Sequence, residues 1–113
     1  MQVLFKSRHP QAAELRDLTE RRVRFVLRRL SWLVPRAEVH LSDMNGPRGG
    51  VDKRCCVELK TVGAGSVVVA SVAKDWRTAL DNALARAARF LMRLWRRGGD
   101  TRRLRQRSIS LER

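Results

Sequence analysis

Arg86, Arg89, Arg93, Arg96 and Arg97 recur at intervals that place them within an arc of ~100° if residues 76–97 form an α-helix turning ~100° per residue. A guanidinium is a permanent cation with a planar fork of donors, so a stripe of them can grip a row of phosphates with no proton transfer. No acidic residue between Asp81 and Asp100 neutralises the stripe. The chain as a whole carries 25 Lys and Arg against 11 Asp and Glu, a net charge of +14 over 113 residues. Only Lys6, Lys53, Lys60 and Lys74 are lysines; the other 21 cations are arginine. A surface that repels itself this strongly points to a polyanionic partner, and nucleic acid is the commonest.

Other chemistries lack their parts. His9 and His40 fall on different elements, and no Ser–His–Asp order, HExxH helix or Gly-rich loop leading into Lys-Ser/Thr accompanies them. The glycines of residues 46–50 precede a strand, where a dinucleotide loop would precede a helix. Cys55 and Cys56 are the only cysteines. As strand neighbours they point to opposite faces, so they form neither a disulfide nor a metal pair, and one is expected buried and one more exposed. No catalytic residue, metal or cofactor is therefore expected. No apolar run approaches the ~20 residues of a membrane span, and residues 1–7 are too short for a signal-peptide core. The expectation is a soluble, cytoplasmic protein with no membrane partner.

The elements that would position the arginines follow from periodicity. Gln2–Ser7 reads as a strand with Val3 and Phe5 on one side. From residue 12 to 33, Leu15, Val23, Val26 and Leu30 recur at helical spacing, opposite Arg21, Arg24 and Arg28. Arg22 and Arg29 flank Phe25 at the edge of that apolar face. Pro35 stops the helix, and Ala37, Val39 and Leu41 alternate with polar residues as a second strand. Residues 45–50 make a loop, and Lys53–Thr61 a third strand with Cys55, Val57 and Leu59 inward. Gly63-Ala64-Gly65 turns the chain into a fourth strand over 66–73. Asp75 caps a last helix whose inward residues are Leu80, Leu84, Ala87, Leu91 and Leu94, and Gly98-Gly99 is expected to end it.

The fold class is thus α+β in the order β-α-β-β-β-α, a four-stranded sheet with both helices on one face. Residues 1–98 form a single domain, and 99–113 a basic, disordered tail. Its β-β-β-α part resembles double-stranded-RNA-binding domains, which read shape and phosphate. Phe5 is the only strand aromatic, so bases are not expected to stack on the sheet, and Trp32, Trp76 and Trp95 are read as core or helix-anchor residues.

Several segments sharpen this to a family. Met1-Gln2-Val3, Leu41-Ser42-Asp43, Asp52-Lys53-Arg54-Cys55 and above all Asp75-Trp76-Arg77-Thr78-Ala79-Leu80-Asp81, opening an arginine-ridged helix, resemble the ribosome hibernation-promoting factor family, which includes ribosome-associated inhibitor A. The resemblance covers residues 1–98. It implies a non-catalytic protein that binds small-subunit ribosomal RNA in the decoding channel, competes with mRNA and A- and P-site tRNA, and inhibits translation in stationary phase or stress. Matched position by position, it assigns RNA contacts to Arg86, Arg89, Arg93 and Arg97 on the second helix and to Arg22 and Arg28 on the first. Arg96 joins them on the ridge. Phe25 stands where some relatives are basic, and Arg77 where an aromatic is usual.

Long members of the family carry a C-terminal domain that joins two ribosomes, and no such self-dimerisation domain is expected here. The basic residues Arg102, Arg103, Arg105, Arg107 and Arg113 also depart from the acidic extension of some short members. Two alternatives stay open: a regulator using the same fold to bind a protein such as a sigma factor, and a general RNA- or DNA-binding protein.

Overall fold

The computed structural model describes residues 1–44, 52–63 and 65–100, the last four by their backbone alone. The expected loop over 45–50 and the tail beyond residue 100 lie outside the described residues.

Four strands, β1 (Gln2–Ser7), β2 (Arg36–Asp43), β3 (Lys53–Thr61) and β4 (Gly65–Ala73), form one sheet in the order β1-β2-β3-β4. The β1–β2 pair is parallel and the other two are antiparallel. A parallel pair cannot be joined by a tight turn, so the helical segment between β1 and β2 has to cross over the sheet. Register stacks the apolar alternates in rows: Phe5 beside Val39 beside Val57, and Ala37 beside Leu59 beside Val67. Those residues face the helices, and Val39, Val57, Leu59 and Cys55 are completely buried. The opposite alternates, including Glu38, His40, Glu58 and Lys60, line the uncovered face. Gly63 and Gly65 take φ of +83° and +74° in the β3–β4 turn, a region that L side chains avoid; Gly65 still pairs with Thr61, so β4 starts one residue earlier than the apolar pattern suggests.

The crossover differs from the continuous helix expected over 12–33. It divides into α1 (Pro10–Ala13), α2 (Arg16–Val26) and a 3₁₀ turn at Ser31–Leu33. The physical reason lies in Leu27, Leu30 and Leu33, which are all buried. Three-residue spacing drifts around an α-helix by ~60° per step, but stays in line when each turn holds three residues. The backbone takes that form: the Leu30 and Leu33 amides donate to Leu27 and Leu30 carbonyls, each at 2.9 Å. Leu27, absent from the expected apolar set, is thereby at the centre of the core. The Val62 amide of the β3–β4 turn then donates to the Leu33 carbonyl at 3.0 Å, tying the segment to the sheet.

α3 (Trp76–Asp100) starts as expected. The Thr78 amide donates to Asp75 Oδ1 at 2.7 Å, and this bond holds the Asp75 carboxyl below its ordinary pKa. Trp76, Ala79, Leu80, Ala83, Leu84, Ala87 and Leu91 are buried against the sheet, and Leu94 is partly so. The alanines among them let the helix approach closely. Gly98 and Gly99 do not end the helix, which continues to Asp100; glycine lowers helix propensity by ~1 kcal/mol without forbidding it. Trp76 also anchors the start of α3, its indole N–H donating to the Ser42 carbonyl at 2.9 Å. Lys53 lies beneath the same ring, 5.1 Å from its centroid, and donates to Asp43 at 2.7 Å, a bond that raises its pKa.

Candidate nucleic-acid interface

α3 lies over β3 and β4, and its outer side presents Arg86, Arg89, Arg93 and Arg96, all exposed. The same 3.6-residue period that buries Leu84 and Leu91 dictates this, because the arginines fall between the buried positions. Arg89, Arg93 and Arg96 line a shallow groove whose remaining walls are Ala88 and Met92. Among the described residues, no carboxylate lies within 4.0 Å of any of these four guanidinium groups. Arg97 continues the stripe in sequence, but its side chain lies outside the described residues.

The expected contact residues are not equivalent. Arg86 donates through Nη1 to the Ala70 carbonyl at 2.9 Å, clamping α3 to the free edge of β4 with one of its donors. Arg22 reaches across the helices to Asp81: Nε lies 3.0 Å and Nη2 2.9 Å from Oδ1. So paired, Arg22 bridges α2 and α3 in the free protein and shares its charge with Asp81. In the free protein that pairing competes with the RNA contact that the matched position implies. Arg28, just past α2, donates to the Phe25 carbonyl at 2.7 Å and holds its guanidinium 4.3 Å from the centre of the Phe25 ring. Arg24 is engaged as well, with Glu20 at 3.1 Å and the Met1 carbonyl at 3.0 Å.

One feature of this layer departs from the sequence expectation. Trp32 and Trp95 are 60% and 47% exposed, so of the three tryptophans only Trp76 is a core anchor. Trp32 is pushed outward because its neighbours Leu33 and Leu30 take the inward positions of the 3₁₀ turn. Phe25 and Phe90 are also exposed. The signal that could have marked Phe25 was its angular position: it sits ~160° from the centre of the line through the buried Thr19, Val23 and Leu27.

The uncovered sheet face has no comparable stripe. Glu38 lies 3.6 Å from Lys6 and 3.7 Å from Arg36, and Glu58 3.6 Å from Lys60. His40 is exposed there, and Cys56 is half-buried beside it in register, while Cys55 is buried on the helix side. No helix among the described residues is long and apolar enough to cross a membrane.

Fold and surface together define a two-layer α+β protein with a cationic helical layer and a charge-paired sheet. No protein-family model matches the chain, and no curated protein matches it.

Proposed function

We propose that this chain is a non-catalytic ribosome hibernation factor, which binds small-subunit ribosomal RNA in the decoding channel and inhibits translation by excluding mRNA and A- and P-site tRNA. The observation that carries the reading is the stripe Arg89, Arg93 and Arg96, exposed and with no carboxylate in reach among the described residues, on the helix that opens with Asp75-Trp76-Arg77-Thr78-Ala79-Leu80-Asp81. A fixed row of guanidinium groups on a rigid helix binds phosphates held in a fixed row, as a folded ribosomal RNA offers them. The element order β-α-β-β-β-α supports the same reading through the family resemblance. Proteins of this charge release counterions on binding, so affinity should fall steeply with salt.

Co-sedimentation with isolated small subunits at moderate salt, beside duplex RNA and DNA controls, tests it. Binding to subunits that bound tRNA and mRNA weaken supports the proposal. Equal binding to all three polyanions favours a general nucleic-acid-binding protein, and binding to none favours a protein partner.

A further inference from the structure

Two five-residue segments echo each other on separate helices: Arg24-Phe25-Val26-Leu27-Arg28 and Arg89-Phe90-Leu91-Met92-Arg93. In each, a leucine goes fully into the core while the phenylalanine stays outside. Leu27 and Leu91 have no exposure, whereas Phe25 and Phe90 are 57% and 40% exposed. In each, the arginine three residues on folds back over the ring, at 4.3 Å for Arg28 and 5.5 Å for Arg93. On α3, residues three apart are neighbours, which holds Arg93 by Phe90; past the end of α2 the turn closed by the Arg28 amide on the Phe25 carbonyl, at 3.4 Å, brings Arg28 back to the ring.

An exposed ring forgoes the transfer free energy of burial, and here the exposure is systematic. Of the six Phe and Trp residues, four are exposed, and all four lie in the helical layer with the arginines. A duplex would give such rings no face to stack on, because its bases are stacked inside and present only their edges in the grooves. Unpaired bases offer π-faces that stack on aromatic rings and on guanidinium planes, while their phosphates take up the adjoining charge. Arg28 commits one donor to the Phe25 carbonyl and keeps others for phosphate.

We propose that Phe25–Arg28 and Phe90–Arg93 are two copies of a base-stacking platform, and that the RNA held by the helical layer is single-stranded where it crosses them. The proposal rests on this layer being the RNA-binding surface, but not on the RNA being ribosomal.

The test measures fluorescence anisotropy of labelled dodecauridylate and of a twelve-base-pair RNA duplex with the wild type, F25L, F90L and the double variant, melting temperatures being recorded for each. Each leucine variant should weaken single-strand binding by at least about fivefold, the double variant multiplicatively, with duplex binding changed less than about twofold. The salt slope of the remaining binding should be unchanged, since no cation has been removed. F25W and F90W should retain wild-type affinity. Unaltered dodecauridylate binding by the leucine variants, or an equal loss on the duplex, would overturn the platform. A parallel arm with small subunits separates the two proposals. Ring-dependent binding of the single strand by a protein that ignores subunits keeps the platform and removes the ribosome; ring-independent binding to both subunits and single strand does the reverse.

Discussion

On the uncovered face of the sheet, Glu38 serves both Lys6 and Arg36, and Glu58 serves Lys60; on the helical face, Arg89, Arg93 and Arg96 meet solvent with no described carboxylate in reach. Both faces are rich in the same residue types. They differ because strand register sets Glu38 directly opposite Glu58 and Arg36 opposite Lys60, so each acid has a cation on a neighbouring position. Among the described residues, no acid takes such a place beside Arg89, Arg93 and Arg96 on the outer side of α3. Formal charge is therefore a poor guide to where this protein binds, and the charge left over after local pairing is a better one.

The comparison breaks most sharply if the two faces are mutated in turn. Replacing Arg89, Arg93 and Arg96 together by Glu should weaken small-subunit binding more than about a hundredfold, since three phosphate contacts become three repulsions. The log–log salt slope should flatten by ~0.7–0.9 for each phosphate no longer neutralised. Folding should persist, checked by circular dichroism, because all three side chains are exposed. The matched change of Lys6 and Lys60 to Glu should cost little binding. Equal losses from the two faces would place the site elsewhere.

Cys55 and Cys56 report the same contrast one residue apart. Burial pushes the Cys55 thiol from its ordinary value near 9.0 up to about 12, the neighbouring Cys56 adding to the rise and Arg54 opposing it. Alkylation at mild alkaline pH should modify Cys56 in the folded protein and Cys55 only on unfolding, as mass spectrometry of timed samples would show. Below pH 9 Cys55 is protonated folded or unfolded and contributes no pH dependence. Between pH 9 and about 12 the unfolded thiol releases its proton first, so stability should fall as pH rises. Cys55→Val should remove that part of the decline in melting temperature.

Converting Glu38 and Glu58 to Lys would remove the distinction between the faces from the other side. Non-specific RNA binding should rise by a factor of a few at low salt and return to the wild-type level as salt screens the added charge. The smallest effect concerns the brace. Arg22→Ala should lower stability by no more than about 1 kcal/mol, because both partners in its pair with Asp81 are partly exposed. It should also change subunit affinity less than Arg93→Ala does. A double-mutant cycle with Asp81→Ala isolates the pair.

Much of the fold was legible in the chain. The strands follow alternations such as Ala37, Val39 and Leu41, the Asp75 cap locates the start of α3, and 3.6-residue spacing separates Leu84 and Leu91 from Arg89 and Arg93. Each of these depends on residues only a few positions apart, which is why local pattern suffices. The stripe at the centre of the candidate site is local in the same sense.

Only the tertiary structure decided which arginines remained free. Arg22 is 59 residues from Asp81 and Arg86 is 16 from Ala70, and no local period encodes either contact. Nor could spacing alone choose between an α-helix through Leu33 and the 3₁₀ turn, since the choice rests on how Leu27, Leu30 and Leu33 fit against the sheet. That packing also turned Trp32 outward. The sequence by itself determined the elements and the charged stripe, because both arise from the geometry of a single helix or strand. Which cations are neutralised and which rings are covered was settled by surfaces brought together from distant parts of the chain.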